Sequence, residues 1–513
     1  MIIFGRINSI FNKIKSVDIT ISSLFYSLIS IIIIRTFLEN ILEERHLINL
    51  NLSFYLLMLD FFHIVLSWLT LYLLVTFILY IFSNDKLIDV FKISLFGFIV
   101  IISVPLLDYF VFSSGIISYE HSFNDFLHSY ISLFNPYSNI SFVTFGVRVE
   151  IFFILISVFL YVVRFGKIKA FLALFFIYNI IFLYGYLPSF YNIFLVDFRH
   201  ILSNSVLAPR SDIFINLYMY IPITLFLFLM TYFFYTNIFK TVLRIERLTI
   251  YLGLYIFGVL VGLFNSFSFE DSLNFFDASK IIAGGLSIVF AFIYAVIVND
   301  ISDISIDKDS NSYRCLITQE INIDNFKGLQ PILIFLTLGF SLSVNQFFIF
   351  AVLPMLALSY IYSAQPIRAR RHFISANIIL SVNAIIVFLS GYVVVYQNIA
   401  FLNVDKEILL SIFLFFIVSA SFKDIKDADA DKINGIVTLS TLAKPHAYII
   451  LKVLTTLVSI YVLSILKIPT SHTYLILSML IIGTTLIKKS ENFLIFLQLI
   501  TCSIYFSYLY QIV

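Results

Sequence analysis

The chain has 513 residues, of which 61% are hydrophobic and only 12% charged, with a mean hydropathy of +1.01. These values lie far outside the range of soluble domains and indicate a polytopic membrane protein bounded by lipid. A net charge of +2 with no basic run interleaved with aromatics argues against a nucleic-acid partner, and Cys315 and Cys502, with no CxxC or Cys/His spacing, support neither a disulfide framework nor a zinc site.

Apolar stretches near the ~20 residues needed to cross a bilayer recur along the whole chain. The first follows Arg6, Lys13 and Lys15 and is too long, with no small-residue cleavage site behind it, to be a removable signal; it is expected as a retained span. Six spans are expected in the first half, near 19–37, 54–82, 93–113, 140–163, 170–187 and 213–236. Ionisable residues inside such spans are costly and need scrutiny. Arg35 and Glu39 are four apart and suited to pair near a helix end, Asp60 and His63 are three apart on one helix, and Asp108, Arg148 and Glu150 lie elsewhere. With no metal or nucleophile spacing completed, a polar network inside the bundle explains them. Glu120, His121, Asp125, His128, His200 and Arg210 are expected on the far side of the membrane.

The charged connector at Lys240, Arg244, Glu246 and Arg247 is the expected division between a first helical membrane domain, 1–239, and a second, 240–513. Nine spans follow, near 249–266, 281–298, 329–345, 347–364, 373–396, 407–422, 447–465, 473–487 and 493–511. Lys and Arg collect on the cytoplasmic side of short loops. With a cytoplasmic N-terminus, Arg244, Arg314, Arg368, Arg370, Arg371, Lys423, Lys426 and Lys432 all fall on that side, whereas Lys280, Lys406 and Lys467 fall on the other. The expected location is integral and multi-pass, in the plasma membrane with the active site at the cytoplasmic face.

Two acidic segments sit on that basic face, each at the end of a span. The first runs Asn299-Asp300-Ile301-Ser302-Asp303-Ile304-Ser305-Ile306-Asp307, the second Lys423-Asp424-Ile425-Lys426-Asp427-Ala428-Asp429-Ala430-Asp431. In a helical frame Asn299, Asp303 and Asp307 share one face, as do Asp424, Asp427 and Asp431, while Asp300 lies off the main face. Like charges stacked this way repel unless a cation lies between them, and oxygen-only ligands suit Mg²⁺, which reaches proteins through a few carboxylates plus substrate phosphates. Arg314, Arg368, Arg370 and Lys423 are placed to neutralise a diphosphate. The alternative is that each segment is a solvated cytoplasmic loop; two of them, matching in spacing and side, weigh against it.

The stretch from Asn299 to Ile317, with Asn-x-x-x-Asp-x-x-x-Asp followed by Tyr313-Arg314-Cys315-Leu316-Ile317, resembles the first signature of the UbiA superfamily of intramembrane prenyltransferases. Lys423-Asp424-Ile425-Lys426-Asp427, then Asp431-Lys432, Gly435 and Thr438-Leu439, resembles the second, and Tyr360-Ile361-Tyr362-Ser363-Ala364-Gln365-Pro366-Ile367-Arg368-Ala369-Arg370 is similar to the element between them. The resemblance covers about residues 240–513 and implies an all-α bundle of nine spans with signatures after the second and sixth, preceded here by an additional helical unit of about six spans. It implies that Asn299, Asp303 and Asp307, joined by Asp300, and Asp424, Asp427 and Asp431 bind two Mg²⁺ and through them a polyprenyl diphosphate. Tyr362, Arg368, Arg370 and Lys423 would contact the diphosphate, with Arg314 as a further contact, and Asp303, Asp427, Lys423 and Arg370 would carry the catalysis. The second partner implied is a hydrophobic aromatic or lipid acceptor, in lipid or quinone biosynthesis. Cys315 and Gln365 stand where the family has Pro, Thr318-Gln319 replaces Ser-Gly, and Arg370 replaces Lys; none of these removes a metal ligand. The form of the second motif is closer to members that prenylate glyceryl lipids, homogentisate or chlorophyll precursors. A terpene cyclase using the same donor, and a non-enzymatic cation-binding transporter or lipid-binding protein, are the competing readings; acidic clusters at span ends, with no paired Gly/Pro-broken spans, argue against transport.

Overall fold

The computed structural model describes residues 2–42, 54–112, 123–132, 144–194, 242–266, 275–395, 404–422, 424–433, 435–488 and 490–512. It divides the chain into two compact units, Met1–Leu229 and Met230–Val513. Among the described residues it is helical apart from one isolated bridge, His372 to Val437. Among the described residues eleven helices are long and apolar enough to cross a membrane, five in the first unit and six in the second, so the chain is a multi-pass membrane protein.

The first unit contains α1 (Ile2–Lys15), α2 (Ile21–Leu42), α3 (Phe54–Phe82), α4 (Leu87–Phe98), α5 (Ser103–Leu107), α6 (Phe123–Ser132), α7 (Phe145–Val162) and α8 (Lys167–Phe194). α1 is a separate helix. Its last residue, Lys15, meets Asp85 at 2.5 Å, and Asp85 also accepts from the Tyr161 hydroxyl at 2.8 Å. Arg35 and Glu39 form the expected i,i+4 pair, both buried, with the Arg35 guanidinium 4.2 Å from the Trp68 ring. Asp108 accepts from Thr144 Oγ1 at 2.6 Å and from the Gly146 backbone N–H at 2.7 Å, which satisfies an orphan donor at the start of α7. The Asp60, His63 and Asp125 side chains, Glu120, His121, His200, Arg210 and the span expected at 213–236 lie outside the described residues.

The second unit contains α9 (Ile245–Ser266), α10 (Phe275–Ser302), α11 (Ile304–Ser310), α12 (Ile323–Val344), α13 (Gln346–Ser363), α14 (Phe373–Val395), α15 (Lys406–Phe422), α16 (Asp424–Ile433), α17 (Leu439–Leu442), α18 (Ala447–Ile465), α19 (Thr470–Leu486) and α20 (Ser490–Ile512). Each of the nine expected spans overlaps one of these helices, six of which are long and apolar enough to cross a membrane; α15 and α19 are 17 residues long. Lipid gives apolar side chains no reason to leave it, so small residues that let backbones approach drive such packing. Gly258 and Gly262 on α9, a Gly-x-x-x-Gly pair, and Gly391 on α14 let the two backbones approach in this way. A Cβ on Gly258 would lie 2.0 Å from the Phe388 carbonyl oxygen, and one on Gly391 would lie 2.0 Å from that of Tyr255. α10 is held to α12 by Ser287 Oγ donating to the Thr337 carbonyl at 2.9 Å and by stacked Phe290 and Phe340 rings. Asn345, between α12 and α13, caps α13 through Phe348 N–H and donates to the Val393 carbonyl of α14. At the other end of this bundle the ends of α10 and α13 and the loop leading into α14 come together around one mouth, through Asn299, Asp303, Ser363, Arg368 and Arg370.

Candidate active site

α10 ends at Ser302, and Asp303 occupies the break before α11 with φ −108° and ψ 11°. The break redistributes the first acidic segment. Asn299 and Asp303 are drawn to Arg370, whose Nη1 lies 3.4 Å from Asn299 Oδ1 and forms an ion pair with Asp303. Asp300 and Asp307 are drawn instead to Arg314, whose Nη1 reaches Asp300 at 3.0 Å and also pairs with Asp307. The expected face of Asn299, Asp303 and Asp307 is therefore split, because the helix does not continue through Asp303, and Asp300 becomes the partner of Asp307. All three carboxylates are buried, with 1–3% exposure. Burial pushes the Asp307 carboxyl above its usual range, opposed by Arg314 and by Asn311, whose amide donates at 3.1 Å.

The loop from Ser363 to His372 brings the other cations. Ser363 Oγ lies 3.4 Å from Asn299 Oδ1. Arg368 adopts a left-handed conformation, φ 44° and ψ 58°, unusual for a side chain with a Cβ. That backbone aims its guanidinium at the end of α10, where Nη2 donates to the Ser302 carbonyl at 2.9 Å and to Asp303 at 3.0 Å. One cation thus satisfies an orphan carbonyl at a helix C-terminus and a buried carboxylate.

The second acidic segment forms α16, so its aspartates do share a helical frame. Asp431 is buried and lines a small polar cavity of about 20 Å³ with Tyr362, Arg370, Asn377 and Thr438. Arg370 therefore lies between the two motifs. Lys423 and the side chains of Asp424 and Asp427 lie outside the described residues. Asp429 points away: its carboxylate is exposed and held below its usual range by Lys444 at 2.5 Å. The downstream Gly435, at φ 68°, closes α16 with the Ile436 N–H donating to the Asp431 carbonyl, and Thr438 caps α17 in a reciprocal box with Thr441.

Arg244 is a site residue that sequence spacing did not reveal. Read as part of a connector, it pairs with the buried Asp300 from a left-handed backbone position, φ 41°, and burial pulls its guanidinium below its usual range. Arg244, Arg247 and Tyr251, at intervals of three and four on one face entering an apolar helix, were the signal available. All three line a cavity of about 630 Å³ that begins at Asn299, Tyr362 and Ser363 and continues between α9, α10, α14, α15 and α20. Its wall is apolar. Tyr251 sits among Phe292 and Phe416, with ring centroids 5.6 and 6.2 Å away, while Ile256, Ile495, Leu499 and Phe506 leave its side open to lipid.

The donors described are oxygens alone, and Asp300 Oδ2 is buried with no hydrogen-bond partner among the described residues. Among those residues no three acidic, histidine or cysteine side chains converge enough to hold a metal by themselves. That pattern fits Mg²⁺, which takes one or two carboxylates and fills its octahedron with water and phosphate oxygens.

Homogentisate geranylgeranyltransferase of Triticum aestivum is 30% identical over 207 residues, 37% of this chain and 50% of that protein. Digeranylgeranylglyceryl phosphate synthase of Methanocaldococcus jannaschii is 29% identical over 186 residues, 36% of this chain and 60% of that protein. The chain spans about half the length of the curated relatives it matches. A structure of a UbiA homolog from Archaeoglobus fulgidus bound to GPP and Mg²⁺ is 18% identical, covers 54% of this chain and 99% of its own, and has a TM-score of 0.41. Residues 255–495, which contain all three motifs, match the UbiA prenyltransferase family.

Proposed function

We propose that the protein is an integral-membrane, Mg²⁺-dependent prenyltransferase that moves a prenyl group from a polyprenyl diphosphate to an aromatic or lipid-like acceptor, with its chemistry in residues 240–513 and its mouth at the cytoplasmic face. The observation that carries this reading is a cluster of buried carboxylates and arginines opening directly onto a large apolar cavity. In this reading Asn299, Asp300, Asp303, Asp307, Asp424, Asp427 and Asp431 would hold Mg²⁺, which would supply positive charge to offset that of the diphosphate. Arg314, Arg368, Arg370, Lys423 and Tyr362 take the remaining diphosphate oxygens.

As the allylic C–O bond breaks, the electron pair leaves with the diphosphate. Arg368 and Arg370, already oriented by Asp303, are placed to stabilise the growing charge. The carbocation stays behind among Tyr251, Phe292 and Phe416, whose ring faces attract positive charge and whose packing excludes water. The acceptor then forms the new carbon bond and loses its proton. Relatives named for homogentisate and for glyceryl phosphate support an aromatic or lipid acceptor.

The test is chelator-sensitive diphosphate release by purified protein supplied with geranylgeranyl diphosphate and a membrane-lipid extract. Asp303→Asn and Asp427→Asn should each abolish it, since an amide is neutral and holds a hard cation poorly. Full turnover in either variant, or in chelator, contradicts the reading.

A further inference from the structure

Asn383 lies midway along α14, and its side chain lines the large cavity. It is 7% exposed, and its Oδ1 has no hydrogen-bond partner among the described residues. A buried amide oxygen with no protein partner in a largely apolar wall is costly unless another polar group complements it. Asn377, six residues earlier on the same helix, lines the polar cavity beside Arg370 and donates to Ser421 Oγ at 2.8 Å. At 1.5 Å per residue, Asn383 therefore sits about 9 Å further along α14 than Asn377, which shares the polar cavity with Arg370. Gln498 of α20 is a second amide on the wall of the same cavity.

We infer that Asn383 is an acceptor-specificity residue, hydrogen-bonded in the loaded enzyme to a hydroxyl or carbonyl oxygen of the acceptor. The inference rests on the prenyltransferase reading. A prenyl diphosphate carries all its oxygens at the mouth, and its chain is hydrocarbon, so the donor cannot complement an amide at this depth. The complementary group must enter with the other substrate. An amide both donates and accepts, which suits either oxygen function. The acceptor class is an extended amphiphile, with one oxygen function set well apart from its nucleophilic end.

The experiment uses the full chain with labelled geranylgeranyl diphosphate as donor and serial dilutions of a membrane-lipid extract as acceptor. Asn383→Leu, close in size and without polar atoms, should raise the half-saturating extract concentration about tenfold while the donor KM changes less than twofold. Asn383→Thr, which retains a hydroxyl, should recover part of the loss, and it decides the question alone if the leucine variant does not fold. A rise in donor KM with the extract constant unchanged overturns the assignment, as does an equal change in both or no change in either. Failure of the prenyltransferase reading looks different: the unsubstituted protein itself would transfer no label.

Discussion

Replacing Arg314 by leucine tests how far its ion pairs with Asp300 and Asp307 hold the site together. Arg314 Nη1 touches both Asp300 and Asp307, whose side chains are 2% and 4% exposed. Removing one member of a buried ion pair costs about 3–5 kcal/mol because the remaining charge is stranded. Two features reduce that here. Asp300 keeps Arg244, and Asp307 keeps the Asn311 amide and is already pushed by burial toward its neutral form. The expected loss is then about 2–3 kcal/mol, or a fall of about 3–5 °C in the thermal midpoint in chelator for a unit of this size. Mg²⁺ should raise the midpoint of Arg314→Leu by more than it raises that of the unsubstituted protein, since the cation finds carboxylates no longer engaged. Fluorescence-monitored melting in matched detergent, with and without Mg²⁺, reads both quantities. An unchanged midpoint in chelator, or equal Mg²⁺ shifts in the two proteins, would refute the reasoning.

Gly258→Ala should lower the folded yield and the melting midpoint, since its Cβ would fall 2.0 Å from a backbone oxygen of α14, whereas Gly253→Ala, with no atom within 4 Å of its Cβ, should be neutral; size-exclusion profiles of the two compare them directly. With Cys315 and Cys502 replaced, Ser310→Cys should be labelled from the cytoplasmic side of intact cells and Asn403→Cys from the opposite side; labelling of both from one side contradicts the nine-span arrangement. A second half beginning near Lys240 should retain Mg²⁺-dependent diphosphate release on its own. If it folds and is inert until residues 1–239 are supplied, the first half completes the site.

Charged residues stand out against so apolar a chain, so both acidic segments and the Arg368–Arg371 loop were legible from spacing alone. What spacing could not show is pairing across distance. Arg244 reaches Asp300 across 56 positions and Arg368 reaches Asp303 across 65, so neither contact leaves a local pattern. A continuous helix through Asp303 was the natural reading of a three- and four-residue repeat. The break arises where the Ser302 carbonyl finds Arg368. Asn383 was invisible for another reason: one amide in an apolar span changes neither hydropathy nor periodicity, and only the cavity beside it gives it meaning.

The central claim is transfer of a prenyl group, and the fate of that group tests it most directly. Purified protein should be incubated with geranylgeranyl diphosphate labelled at the first carbon, Mg²⁺ and a membrane-lipid extract, and every labelled species identified by mass. The account predicts label in a larger product formed in proportion to the diphosphate released and absent in chelator. Label recovered as a cyclic hydrocarbon or alcohol with no acceptor attached would show a cyclase, and label remaining in unreacted diphosphate would contradict an enzymatic role for the site.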